Sequence, residues 1–324
     1  MDHFDLFENE KNTIVSFLTR SVAGDISVAE QELFLQQKQE MTPELLTEVV
    51  LFLRKHMAPA PHIKGAIDVC GTGGSGLARI NTSTIATFVL AALGVKVAKH
   101  GNKASSGRFG SFDLLEALGI NVDMSVSDME SLYRRCHCVF LLAKRFHPVM
   151  KYFAEVRQKI GKPTFFNILG PLLNPVDVDK QIIGTPFRDR MRLIAETCRL
   201  LGKKQVFVVC GEDGLDEVTI TGKTYVTELK NNKIKNSIIS PRDFGISSCT
   251  FAEISSNDVA QNIAFALSIL KGEDKSRHSD LVLVNVALAL KMVGKVRTLR
   301  AGYVMAQRVL MSGKPYQIYR DIIS

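Results

Sequence analysis

What this 324-residue sequence lacks removes several classes of protein. No run of about 18 consecutive apolar residues occurs, so no membrane-spanning helix is expected. The start, MDHFDLFENEKN, is acidic and has neither the basic residues nor the apolar stretch of a secretory signal. The expected place of work is therefore the cytoplasm. The six cysteines (Cys70, Cys136, Cys138, Cys198, Cys210, Cys249) contain one close pair and no second ligand pair at zinc-like spacing. They read as reduced core thiols, with Cys138 opening the apolar strand CVFLL. Tryptophan is absent altogether, yet 46% hydrophobic and 23% charged residues describe an ordinary globular chain of one or two domains.

A fourth absence is more informative. Between Asp68 and Asp113 there is no acidic residue, while Arg79, Lys96, Lys99, Lys103 and Arg108 all fall inside that window. A mixed surface scatters both signs, so this bias reads as a pocket for something multiply negative. The whole chain carries 41 Lys and Arg against 33 Asp and Glu, a net +8 that favours small polyanions and nucleic acid alike. Two phosphate-binding motifs are excluded. Gly71-x-Gly73-x-x-Gly76 formally satisfies the dinucleotide fingerprint, but that motif needs an acid ~20 residues on, where Lys99-His100 stand. No Gly-Lys-Ser/Thr follows at P-loop spacing.

The first sixty residues read as helical. Ser27-Val28-Ala29-Glu30 is a capping box, and Thr42-Pro43 is an N-cap with proline at the first helical position. Leu45, Leu46, Val49, Val50 and Leu53 then fall on one helical face. Ala58-Pro59-Ala60-Pro61 is a linker, dividing a small helical domain (1–62) from a larger α/β domain (63–324). In the larger domain, strands at Ala66–Cys70, Val95–Lys99, Cys138–Leu142, Gln181–Gly184 and Gln205–Cys210 alternate with helices near 82–93, 111–118, 127–135, 148–160 and 188–202. Ser127-Asp128-Met129-Glu130 reads as a second capping box, and Asn231-Asn232 as the turn of a β-hairpin. From about Ser256 the chain is helical again. The fold class is α/β, a mostly parallel sheet covered on both faces.

Two stretches carry chemistry. A strand runs into Gly71-Thr72-Gly73-Gly74-Ser75-Gly76, where glycines let the backbone approach a ligand and point N–H groups at it. Asn81-Thr82-Ser83-Thr84 follows at a predicted helix N-terminus, which suits a phosphate. A second cluster, His100-Gly101-Asn102 through Ser105-Ser106-Gly107, follows the next strand. Downstream, Gly211-Glu212-Asp213-Gly214-Leu215-Asp216-Glu217 is either a solvated acidic turn or a magnesium site. Magnesium takes one or two protein carboxylates together with substrate phosphates. Adjacent strand residues point to opposite faces, so Asp216 and Glu217 converge only from a turn.

These motifs carry a resemblance. GTGG, NTST, KHGN, GSFDLLEALG, HPVMKYFAEVR, FNILGPLLNP and GEDGLDE occur in the order and spacing of the anthranilate phosphoribosyltransferases, over essentially the whole chain. The resemblance implies a homodimer with the architecture shared with pyrimidine nucleoside phosphorylases. It implies phosphoribosyl pyrophosphate held by Gly71, Gly74, Ser75, Arg79, Asn81, Thr82, Ser83, Thr84, Lys99, His100, Gly101, Asn102, Lys103, Ala104, Ser105, Ser106, Gly107 and Ser111. It implies Mg2+ on Ser83, Asp216 and Glu217, and anthranilate against Gly71, Asn102 and Arg157, the arginine pairing with the carboxylate. Lys99, the metal and backbone N–H groups would stabilise the departing pyrophosphate.

The chain departs from the family pattern in places. Ser75 stands where an aspartate is usual after GTGG, which bears on a second metal ion. Lys103 and Pro163 replace arginines, and Cys210 replaces a histidine. None removes a group that the transfer strictly needs. Two other readings share the fold. A nucleic-acid-binding paralogue would lose KHGN and DGLDE, which this chain keeps. A pyrimidine nucleoside phosphorylase would lack the GPLLNP and DGLDE context.

Overall fold

The computed structural model describes residues 13–37, 41–104, 109–256 and 258–324. Three helices lead: α1 (Thr13–Ala23), α2 (Val28–Gln36) and α3 (Pro43–Lys55). Ser27 caps α2 in a complete capping box, and Thr42 Oγ1 accepts from Leu45 N–H at the start of α3, so both sequence-read starts hold. The α/β part runs β1 (Ile67–Gly71), α4 (Thr82–Ala92), β2 (Val97–Gly101), α5 (Ser111–Ala117), α6 (Val126–Cys136), β3 (Cys138–Leu142). Short helices follow: α7 (Ala143–Phe146), a 3-10 turn (Pro148–Phe153), α8 (Ala154–Ile160) and α9 (Phe166–Leu169). Then come a 3-10 turn (Gly170–Leu173), β4 (Lys180–Gly184), α10 (Met191–Leu200), β5 (Gln205–Gly211), β6 (Thr224–Lys230) and β7 (Lys233–Ile239). Five helices close the chain: α11 (Pro241–Phe244), α12 (Val259–Lys271), α13 (Arg277–Met292), α14 (Leu299–Met311) and α15 (Lys314–Ile323).

The strands form one sheet in the order β3-β2-β1-β4-β5-β6-β7. β1 to β5 are parallel, and β6 and β7 add an antiparallel hairpin at one edge. Its turn residues, Asn231 and Asn232, take left-handed φ of 50° and 61°, as the primed hairpin turn requires. Alternation along each strand separates two large cores, and a third, smaller one gathers around Ala98, Val139 and Leu141. Ile67, Val69, Val97, Ile182 and Phe207 face α4 and the closing helices. Ile183, Val206 and Val208 face the other way, onto α1–α3, α10 and residues 149–173. α4 is buried almost throughout, which its apolar sequence TSTIATFVLAA anticipates.

One sequence-read cap is corrected. α6 is capped by Ser125, whose Oγ accepts from Asp128 N–H at 3.1 Å, and Ser127 lies inside the first turn. Ser125 has the extended backbone (φ −63°, ψ 160°) that an N-cap needs.

Candidate active site

The chain lays β1, β2 and β3 outward in one direction, then returns to place β4 on the other side of β1. That reversal opens a crevice beyond the C-terminal ends of β1 and β4, the usual ligand position in open α/β sheets. β1 and β4 both end in glycine, and Gly71 and Gly184 are directly paired across the ladder. A Cβ at Gly71 would stand 2.2 Å from Asp216 Oδ2, and one at Gly184 would stand 1.7 Å from the Asp216 carbonyl oxygen. The two glycines thus form a saddle over which the acidic turn passes. Gly184 went unnoticed in the sequence, although a strand ending in glycine beside another is the signal of such an approach.

The structure sorts the four carboxylates of that turn. Glu212 Oε2 accepts from Lys223 N–H, and Asp213 Oδ2 accepts from the Thr219 and Thr221 hydroxyls at 2.6 and 2.7 Å. These two shape the loop. Asp216 and Glu217 instead converge on the crevice, each only 7% exposed. Asp216 Oδ2 accepts from Gly73 N–H at 3.0 Å, tying the acidic turn to the glycine turn. Arg79 spans both: its Nη2 donates to Asp216 Oδ1 at 2.6 Å and its Nε to Glu217 Oε1. Thr82 Oγ1 also donates to Glu217, at 3.2 Å. Burial works against the Arg79 charge, but the two carboxylates outweigh it and hold the guanidinium more firmly protonated than usual. Burial pushes the Glu217 carboxyl up, against the pull of Arg79.

Beside the saddle, Gly73, Gly74 and Gly76 adopt φ of 69°, 87° and 72°, conformations open only to glycine at low cost. α4 begins at Thr82 with no side-chain cap from Asn81; Thr82 and Thr84 N–H donate to the Ile80 and Asn81 carbonyls, which leaves the Ser83 N–H of the first turn to face an anion. Ser83 on that turn lines a cavity of about 70 Å3 with Cys70, Gly71, Arg79, Asp216 and Glu217. At the end of β2, Asp113 Oδ2 accepts from Ala104 and Gly110 N–H groups, and Ser111 Oγ donates to the Asn102 carbonyl. Asn102, Lys103, Ala104 and Ser111 therefore form one loop around the start of α5. Ser105, Ser106, Gly107 and Arg108 lie outside the described residues. Ser75 Oγ accepts from Leu77 N–H within the glycine turn.

Not every cation of the acid-free window belongs to the crevice. Lys96 is exposed and precedes β2, at the opposite end of the strand, with its ammonium 5.9 Å above the Tyr133 ring. Lys103 pairs with Glu116 at 2.7 Å, half exposed. Lys99 is 2% exposed; its Nζ donates to the Val69 carbonyl beneath the glycine turn, beside buried Asp68. Burial lowers the Lys99 pKa and raises that of Asp68, and each partner opposes the other's shift. The window bias is thus partly a consequence of carboxylates that arrive from elsewhere in the chain.

The floor is a further element that sequence reasoning missed. The four consecutive carbonyls of the Gly170–Leu173 turn each accept from a different side chain: Gly170 from His100 Nδ1, Pro171 from Gln181, Leu172 from Arg54, Leu173 from His147 Nε2. Each donor is drawn from a different part of the fold, so the segment is fixed on all sides. Burial, with His147 nearby, pushes the His100 pKa down to about 3, so its ring is neutral at physiological pH. Arg157 on α8 is exposed and lies 5.3 Å over the Phe166 ring, which leads into this floor. The closing helices supply two clamps. Asn262 Nδ2 donates to the Arg79 carbonyl and its Oδ1 accepts from Asn81 N–H; Asn285 does the same for both backbone groups of Val218. The signal for Asn285 was its isolation in LVLVNVALAL, since a polar side chain in an apolar run needs a partner.

A mostly parallel sheet with a glycine turn, a helix N-terminus and a carboxylate pair at its switch point defines a phosphate-handling transferase. Comparison with known proteins agrees. The family model described as "Glycosyl transferase family, a/b domain" matches residues 64–316. The anthranilate phosphoribosyltransferase of Persephonella marina is 37% identical over 98% of this chain and 94% of its own length. The crystal structure of anthranilate phosphoribosyltransferase from Thermus thermophilus superposes with a TM-score of 0.89 at 32% identity, covering 97% of this chain and 94% of that one. The Saccharomyces cerevisiae enzyme in complex with PRPP and Mg gives 0.80 at 27% identity, over 98% and 87%. The chain belongs to the anthranilate phosphoribosyltransferase family.

Proposed function

We propose that this protein transfers the phosphoribosyl group of phosphoribosyl pyrophosphate to anthranilate, giving N-(5-phosphoribosyl)anthranilate and pyrophosphate in tryptophan biosynthesis. The observation that carries the reading is the meeting of the glycine turn, the α4 N-terminus and Asp216-Glu217 at one crevice. In the transfer, the bond from ribose C1 to pyrophosphate breaks, the amine nitrogen bonds to C1, and the amine releases a proton. Positive charge develops on the sugar and negative charge on the leaving group, so no covalent nucleophile is needed.

The backbone N–H groups of the glycine turn and of Ser83, with the hydroxyls at the start of α4, would cradle the phosphates. Arg157, already over the Phe166 ring, would meet the planar anthranilate carboxylate, with Gly71 and Asn102 beside the acceptor. Neutral His100, locked on Gly170, would hold the strand end rigid behind the acceptor. Among the described residues no three His, Cys, Asp or Glu side chains form a metal cluster. Ser83, Asp216 and Glu217 do line one cavity with hard oxygen donors, which fits an ion whose remaining ligands come from substrate. Magnesium there would supply positive charge against the leaving pyrophosphate.

The same reading takes residues 1–62 as a small helical domain on an α/β domain of 63–324. The irregular stretch at 57–64 and the start of the family match at residue 64 support that boundary. It takes the protein as a cytoplasmic homodimer that acts on small molecules rather than nucleic acid; among the described residues, no helix is long and apolar enough to cross a membrane. The test is phosphorus NMR of enzyme, magnesium and phosphoribosyl pyrophosphate. Pyrophosphate should appear stoichiometrically only after anthranilate is added; release that is independent of anthranilate would reject the proposed acceptor.

A further inference from the structure

The two carboxylates that would hold the metal already hold a cation. Arg79 reaches Asp216 and Glu217 through two different nitrogens, and its side chain is only 19% exposed. A paired, partly buried guanidinium of this kind is far more strongly held than a surface ion pair. We propose that Arg79 is a resident counter-ion that keeps the carboxylates closed to divalent cations until the substrate pyrophosphate arrives. The inference rests on the reading of Asp216 and Glu217 as metal ligands.

The surrounding geometry suits an exchange. The backbone of Arg79 is pinned by Asn262 and by a β-bridge to Ser255, so the pivot is fixed and only the side chain has to move. The guanidinium shares its two carboxylates with the glycine turn, through Gly73 N–H on Asp216, and with the start of α4, through Thr82 Oγ1 on Glu217, so it lies next to the place where an anion would bind. An entering pyrophosphate offers it oxygens as strong as those it leaves. Its departure frees Asp216 and Glu217 at the moment when the substrate supplies the remaining oxygen ligands. Metal and substrate would therefore bind together, and neither tightly alone. Ser75 fits this scheme, because its hydroxyl is taken up by Leu77 N–H and adds no further carboxylate to the glycine turn. Without the arginine, two neighbouring buried carboxylates would keep only Lys99 as a counter-charge, and Lys99 also faces buried Asp68, which is costly.

The test is calorimetric titration of Mn2+, an oxygen-seeking magnesium substitute, into the ligand-free protein. The parent should show no binding below the millimolar range. Arg79→Met, which keeps the length and loses the charge, should bind at least about tenfold more tightly, and Arg79→Lys should stay close to the parent. Parental affinity in Arg79→Met overturns the proposal. So does sub-millimolar binding by the parent, a result that does not depend on any variant folding. Adding Asp216→Asn and Glu217→Gln to Arg79→Met separates the two layers of the argument. Loss of the gained binding supports both, whereas retention shows that the metal sits elsewhere and overturns the carboxylate reading itself.

Discussion

Gly184→Ala tests how tightly the fold sets the active geometry. The added Cβ would lie 1.7 Å from the Asp216 carbonyl oxygen and 2.4 Å from its carbonyl carbon. Ordinary contact begins near 3.4 Å, so one side has to yield by about 1.7 Å. Gly184 is fixed in the ladder between β1 and β5, which leaves the acidic turn to move. The obstructing atoms are backbone, so Asp216 and Glu217 shift together and no rotamer change relieves the clash. A displacement of ~1 Å at reacting groups costs about a hundredfold in rate. The expected loss in kcat/KM is therefore at least about a hundredfold. Overpacking should add about 1–3 kcal/mol of destabilisation, with the sheet intact. Steady-state kinetics and urea unfolding read the two quantities. A variant within threefold of the parent, with an unchanged unfolding midpoint, would show that the saddle imposes no constraint on the turn.

Arg157→Ala should raise the KM for anthranilate about ten- to hundredfold, as expected for a charge-assisted contact of ~1.5–3 kcal/mol, and leave that for phosphoribosyl pyrophosphate nearly unchanged. An equal rise in both would assign the arginine to structure. Asn285→Leu keeps volume but orphans the N–H and C=O of Val218, so a loss of about 2–4 kcal/mol in urea unfolding is expected, along with a higher magnesium requirement. A stable variant with the parental magnesium curve would make the clamp idle. His100 is held neutral down to about pH 3 when folded but takes a proton near 6.5 when unfolded. The unfolded state therefore binds more protons between those values, and stability should fall as pH drops through that window, by up to about 1.4 kcal/mol per pH unit. His100→Gln should flatten that slope; an unchanged slope would place the acid sensitivity elsewhere.

Much of the fold was legible because it is written locally. Runs such as QVFVVC and CVFLL end in glycines or polar turns, and every parallel strand falls within two residues of its sequence-read bounds. The capping error at α6 arose because Ser125 and Ser127 both precede acids, and only backbone conformation separates them. At the site, the glycine turn, the α4 start and the acidic turn could be read because their residue types cluster along the chain. What could not be read is tertiary. Arg79 finds its carboxylates across 137 and 138 residues, and the Asn262 clamp reaches across 181 and 183. Asn262 carries no local mark of such a role, unlike Asn285, which stands alone in an apolar run. The basic window looked like a uniform anion pocket because charge was counted along the sequence, whereas strand geometry sends Lys96 to the far end and buries Lys99.

The absence of tryptophan makes the most direct test a clean one, since no indole emission from the protein competes with the substrate. Anthranilate fluorescence is followed as enzyme, magnesium and phosphoribosyl pyrophosphate are combined. The account predicts a continuous fall in emission that requires all three components. Steady emission with folded protein would contradict the assignment of anthranilate as the acceptor and, with it, the central claim.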